Sequence, residues 1–109
     1  MKTNRILVAA ALAAAAVAVH AADAAANWKD QCAKCHGPDG AGKTPIGRRL
    51  HIKDLTSASV QAGFTDEDVL ATILKGHKNA SGKQVVAPFS GLSEDDARAL
   101  VGYVRGLKK

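Results

Sequence analysis

The sequence predicts a small all-α domain of about three principal helices. In the best-patterned stretches apolar residues recur at helical spacing rather than alternating. Two of those stretches open on capping signals followed by acidic residues. Glycine and proline gather between them, and no run alternates as a strand would. At 109 residues the chain has room for one small domain, and no internal repeat or linker divides it.

The amino terminus is set apart from that domain. Lys2 and Arg5 precede a nearly unbroken, alanine-rich apolar run from Ile6 to Val19, and Val19-His20-Ala21 places small residues where a signal peptidase reads. Residues 1–21 therefore read as a secretory signal peptide cleaved after Ala21, with Ala22 as the neighbouring position, leaving residues 22–109 as the mature domain. An uncleaved anchor is the weaker alternative, because a bilayer span needs about 20 apolar residues. No stable membrane insertion is expected after cleavage.

The first helix is expected over Ala22 to Cys35, with Asp23 as its cap and alanines favouring it. Trp28, Gln31 or Cys32, and Cys35 recur on one face. Gly37-Pro38-Asp39-Gly40-Ala41-Gly42 ends it in a loop, and Pro45 to Leu50 continues irregularly. Thr56 to Gln61 reads as a short helical turn broken by Gly63. Thr65 and Asp68 form a capping box for a second helix, with Val69, Leu70, Ile73 and Leu74 as its stripe and Gly76 as its end. His77 to Gly91 reads as a long loop, a length more often functional than accidental in a small domain. Ser93 and Asp96 open the last helix, where Ala97, Leu100, Val101, Val104 and Leu107 recur and Lys108 and Lys109 suit the carboxyl end. Gly102 would let another helix approach closely, and this helix is expected to cross the first near Trp28.

The chemistry is concentrated in Cys32-Ala33-Lys34-Cys35-His36. Two thiols three positions apart, followed at once by an imidazole, form the covalent attachment pattern for a c-type haem. Each thiol can add to one of two vinyl groups on a porphyrin edge, and the adjoining imidazole can bind the iron. A redox disulfide or half of a zinc site are the competing readings of two cysteines at this spacing. The first usually sits in a βαβ unit, and the second would need His51 or His77 at irregular spacing. One haem c bound through Cys32 and Cys35, with His36 as proximal ligand and metal site, is the stronger reading. It would also give a short mature chain with few aromatics the apolar centre it lacks. A proximal imidazole usually donates its second N–H to a carbonyl or carboxylate, and Pro45 or its neighbours could supply one.

Taken together, Trp28, Cys32 to Gly37, Asp39 to Gly42, Pro88-Phe89-Ser90-Gly91-Leu92-Ser93 and Ala99 to Arg105 resemble the small monohaem class I cytochromes c of bacteria. The resemblance covers nearly all of the mature chain. It implies a class I cytochrome c-like fold, helices around one covalently bound haem, export to the periplasm, and single-electron transfer between redox proteins by a monomer rather than enzyme catalysis. The departure is at the sixth iron position. The family's usual distal methionine stands just before a proline, where this chain has Val86 and Ala87, and its only methionine is Met1. The sixth position is then open or water-filled, or taken by His77, or by Lys83 or Asn79; His51 could instead bond a propionate. An open site gives the alternative function, a haem protein that binds or senses small ligands. Weak peroxidase activity would need a distal acid–base group as well, for which His77 is the candidate.

Charge narrows the partners. Without Lys2 and Arg5, thirteen basic residues face ten acidic ones, a net +3 that does not argue for nucleic acid, and no nucleic-acid motif is present. Lys34, Lys43, Arg48, Arg49, Lys53, Lys75, Lys78 and Lys83 fall in or beside the loops expected to face the haem, while acids gather at the two helix starts. A basic rim of this kind suits a redox partner with an acidic docking surface.

Overall fold

The computed structural model describes residues 23–89 and 91–109. The segment read as a signal peptide, 1–21, lies outside the described residues. Helix α1 spans residues 23–36, α-helical at 23–27, widened to a π turn over Trp28–Cys32 and α-helical again over Ala33–His36. The expected first helix is thus present, with a wider turn that was not expected. In it the Ala33 N–H reaches Trp28 O, five residues back. Such insertions in α-helices occur frequently at functional sites.

Pro45–Arg49 forms a short helix, α2, where the sequence suggested irregular backbone. Thr44 is its cap, the Thr44 hydroxyl accepting from Gly47 N–H at 2.8 Å, and Pro45 occupies the first turn, where its missing N–H costs nothing. Ser57 caps α3 over Ala58–Ala62. Helix α4, Asp66–Lys75, opens on the expected capping box: Thr65 Oγ1 accepts from Asp68 N–H, and Asp68 Oδ2 accepts from Thr65 N–H.

The long loop after α4 contains a two-stranded antiparallel hairpin, β1 His77–Lys78 and β2 Gln84–Val86, so the expectation of no sheet is corrected. His77 pairs with Val86 and Lys78 with Gln84 across an irregular register. The strands are too short to show alternation. Their turn is organised by one side chain, Asn79, whose Oδ1 accepts from Ser81 N–H, Ser81 O–H and Lys83 N–H.

Helix α5, Glu94–Gly106, opens on the second capping box, between Ser93 and Asp96. It stops at Leu107, so Lys108 and Lys109 lie beyond it, and Lys109 N–H instead bonds Thr56 O at 2.9 Å. Gly102 is exposed, and among the described residues nothing lies within 4 Å of where a Cβ would sit, so none of their helices makes the close approach expected there.

The core is built where α4 and α5 pack together and receive Trp28 from α1. Leu70 and Ile73 of α4 and Ala97, Leu100 and Val104 of α5 are buried with it. Full burial of an aliphatic side chain of this size contributes about 1.5–3 kcal/mol. The first and last helices meet through the rings of Trp28 and Tyr103, whose centroids are 5.3 Å apart. Buried Gln61 ties α3 to α5, its Nε2 donating to Leu55 O and Val104 O. Arg105 completes that joint, donating to Gln61 O, Gln61 Oε1, Phe64 O and Asp66 Oδ1, with its guanidinium 4.6 Å over the Phe64 ring.

Candidate haem site

The last turns of α1 carry Cys32, Cys35 and His36, and the backbone leaving that helix is held tightly. Three consecutive carbonyls each find a donor from elsewhere. Cys35 O accepts from the Thr44 hydroxyl at 2.7 Å, His36 O from Gly42 N–H at 2.7 Å, and Gly37 O from the Trp28 indole N–H at 3.1 Å. These are carbonyls that a helix end leaves without intrahelical partners. Thr44 therefore does two jobs, capping α2 and fixing the motif. Trp28 also lies 5.5 Å from the His36 ring, centroid to centroid.

Beside the motif lies a cavity of about 850 Å³. Its size falls within the ~300–1,000 Å³ usual for small molecules and cofactors. Trp28, Gln31, Cys32, Cys35 and His36 form the wall given by α1. Leu50, Ile52 and Leu55 come from the connection after α2, and Val69, Ala71, Thr72 and Ile73 from α4. Gly76, His77 and the run from Val85 to Phe89 line it from the hairpin, and Leu100 and Val104 from α5. The lining is mainly apolar. At Gly76 (φ +80) the chain turns from α4 into the hairpin so closely that a Cβ would lie 2.5 Å from Val86 O, which only glycine accommodates.

Electrostatics in this wall follow from burial. Desolvation lowers the pKa of His36 and so favours the neutral imidazole. Desolvation, with a smaller contribution from neighbouring Cys35, pushes the Cys32 thiol up to about 11. His36 Nδ1 is buried and has no hydrogen-bond partner among the described residues, so the carbonyl expected from Pro45 or its neighbours does not engage it. No disulfide joins Cys32 to Cys35. Two thiols and a neutral imidazole with a buried, unpaired nitrogen, set in an apolar cavity, fit a haem. They fit a four-ligand metal ion poorly: among the described residues no three His, Cys, Asp or Glu side chains gather to hold one.

The other residues singled out in the sequence are sorted by this cavity. His77 lines it; His51, Asn79 and Lys83 do not. Asn79 is committed to its own turn, and His51 sits exposed with a left-handed backbone, φ +57, just after α2. Sequence reasoning missed Thr44 and the hairpin. A threonine directly before a proline is a legible helix-start signal; the hairpin had none.

Comparison with known proteins agrees with this geometry. The family model described as "Cytochrome C oxidase, cbb3-type, subunit III" matches residues 19–104. Among solved structures, the KustC0563 c-type cytochrome is 32% identical with a TM-score of 0.67, covering 80% of this chain and 99% of that one. A tyrosine-to-phenylalanine mutant titled Kustc0563 is 31% identical with a TM-score of 0.64, covering 79% and 99%. No curated protein matches the chain. With the helices, the cysteine pair and the cavity already described, these matches place the chain in that family, as a c-type cytochrome with an all-α cytochrome c-like fold and covalently bound haem c.

Proposed function

We propose that this chain is an exported monohaem cytochrome that carries single electrons between redox proteins, with Cys32 and Cys35 holding the haem and His36 as proximal iron ligand. One observation carries the reading: the three residues meet on one wall of an apolar cavity, and His36 Nδ1 is itself buried without a partner among the described residues. Attachment would need no oxidant: each S–H would add across a vinyl double bond of the haem, the hydrogen going to the adjacent carbon as the thioether forms. The bound iron would supply a one-electron couple whose potential depends on its ligands, burial and hydrogen bonding. The chain's part is to hold its edge and one face through α1, to exclude water with Val69, Ile73 and Phe89, and to fix the motif through Thr44 and Trp28.

Export to the periplasm follows from the charged and apolar segment 1–21, with cleavage after Ala21. Among the described residues no helix is long and apolar enough to cross a membrane. A monomer that meets acidic partners completes the reading. The apolar lining at Val85, Val86 and Ala87 favours a second one, a haem protein whose sixth position binds small neutral ligands.

Mass spectrometry of the denatured exported protein tests the proposal. The expected mass is that of residues 22–109 plus one haem. Colour that extracts into acidified organic solvent, or a chain without haem, overturns it. Rapid, complete carbon monoxide binding by the ferrous protein at neutral pH favours the second reading over the carrier.

A further inference from the structure

We infer that His77 is the second axial ligand of the haem iron, which would then be held between two imidazoles, His36 and His77. The inference rests on the haem reading above and concerns an imidazole on the cavity wall that reading leaves unused.

Outside the attachment motif, five side chains carrying nitrogen or oxygen line the cavity among the described residues: Trp28, Gln31, Asp68, Thr72 and His77. The Trp28 indole N–H donates to Gly37 O. The Asp68 carboxylate is engaged with Thr65 N–H in the capping box of α4. Gln31 adjoins Cys32 on the motif helix itself, and an amide is a poor iron ligand, as is the hydroxyl of Thr72. Haem iron takes its protein ligands chiefly from histidine, methionine, cysteine and tyrosine. Residues 23–109 contain no methionine, and the one tyrosine, Tyr103, packs on Trp28 outside the lining. Among the described residues His77 is therefore the one imidazole besides His36 that borders the cavity. Lys83 and Asn79, which follow it in the chain, do not border it.

The hairpin is built to present this side chain. His77 opposes Val86 directly, opposed residues of an antiparallel pair share a face, and both residues line the cavity. Phe89 N–H donates to Ile73 O at 3.2 Å, which ties the far end of the hairpin back to α4. Gly76 allows the strand to start immediately at the end of that helix. The imidazole is exposed and makes no hydrogen bond among the described residues, so coordination displaces nothing.

The test compares the haem-loaded wild type with His77→Ala, and with Lys83→Ala and His51→Ala as controls, two side chains outside the cavity lining. Ferric spin state is read by electron paramagnetic resonance, and carbon monoxide uptake by the ferrous absorption spectrum. The wild type and both controls are expected to be low-spin and to resist carbon monoxide at neutral pH. His77→Ala is expected to turn high-spin, to take up carbon monoxide, and to return to low-spin when imidazole is added. A high-spin wild type, an unchanged His77→Ala, or a change at Lys83→Ala instead overturns the assignment. Haem staining of the denatured chains separates the two levels: with haem retained, those outcomes remove His77 alone, whereas a wild type without covalent haem removes the underlying reading as well.

Discussion

At residue scale the attachment site depends on small contacts around the carbonyls that leave α1. Thr44 is the most economical of them, donating to Cys35 O while accepting from Gly47 N–H. Thr44→Val keeps the shape and removes both bonds. It is expected to cost about 1–2 kcal/mol, the upper range for a lost cap, because a motif carbonyl also loses its donor. Thr44→Ser should restore most of it. Thermal unfolding of the haem-loaded protein checks this, about 4–8 °C per kcal/mol for a domain of this size. Gly47 is limited by space rather than by backbone angle. A Cβ there would sit 2.5 Å from Cys35 O and 2.9 Å from Thr44 Oγ1, with Gly42 O closer still. Gly47→Ala should therefore destabilise by about 1–3 kcal/mol through overpacking. It should also reduce the yield of covalently loaded protein, read by haem staining, because α2 would be pushed away from the motif.

At the scale of elements, α4 and α5 are each started by a reciprocal capping box, and the one at Thr65 carries a pH signature. The Thr65 N–H donated to Asp68, and then the Thr65 side chain, hold that carboxyl below its ordinary value near 3.8. A group whose folded-state value is depressed contributes stability above its unfolded value and loses it as pH falls through the folded one. The melting-temperature difference between wild type and Asp68→Asn should thus be full at neutral pH and close as pH drops below about 4, the ordinary aspartate range. A difference that persists unchanged in acid would place the effect elsewhere. These two helices were legible in the sequence because a Thr or Ser cap, an acid three positions on and an apolar stripe all agreed. The motif helix was legible for its alanines and its cysteines. What was not legible has specific causes. The π turn at Trp28–Cys32 follows from backbone hydrogen bonding that residue types do not encode. Helix α2 is one short turn with a glycine inside it, which hid the Thr44-Pro45 signal. The hairpin's strands hold two and three residues, too few for a period. Cys32, Cys35 and His36 were visible as a candidate site from their spacing, whereas His77 became separable from Asn79 and Lys83 only when the cavity was in view.

At the scale of the whole molecule, the distribution of charge relative to the cavity decides how a partner meets it. Leu50 and Val85 are the exposed large apolar residues among those described, at 49% and 42%, and both border the cavity. Arg48 and Arg49 directly precede Leu50, and Lys83 lies two positions before Val85; all three are exposed, and none joins either ion pair among the described residues, Arg98–Glu94 and Arg105–Asp66. The acids Asp66, Glu67, Glu94 and Asp95 sit instead at the starts of α4 and α5. Apolar contacts flanked by uncompensated cations favour encounter with an anionic surface at this face and leave burial to fix it. Long-range attraction of this kind is screened by salt, with a Debye length of about 10 Å at 0.1 M. Electron exchange with an anionic reagent such as ferricyanide should therefore slow as ionic strength rises, roughly tenfold between low and high salt, at the low end of steering effects. Exchange with a cationic cobalt complex should speed up over the same range. The double variant Arg48→Glu with Arg49→Glu should flatten the first dependence without altering the spin state of the iron, since both side chains lie outside the cavity lining. Stopped-flow rates across a salt series, with the spectrum of each variant recorded beside them, distinguish the two effects. If the double variant keeps the wild-type salt dependence, these arginines do not steer and the attraction arises from the remaining lysines or from net charge alone.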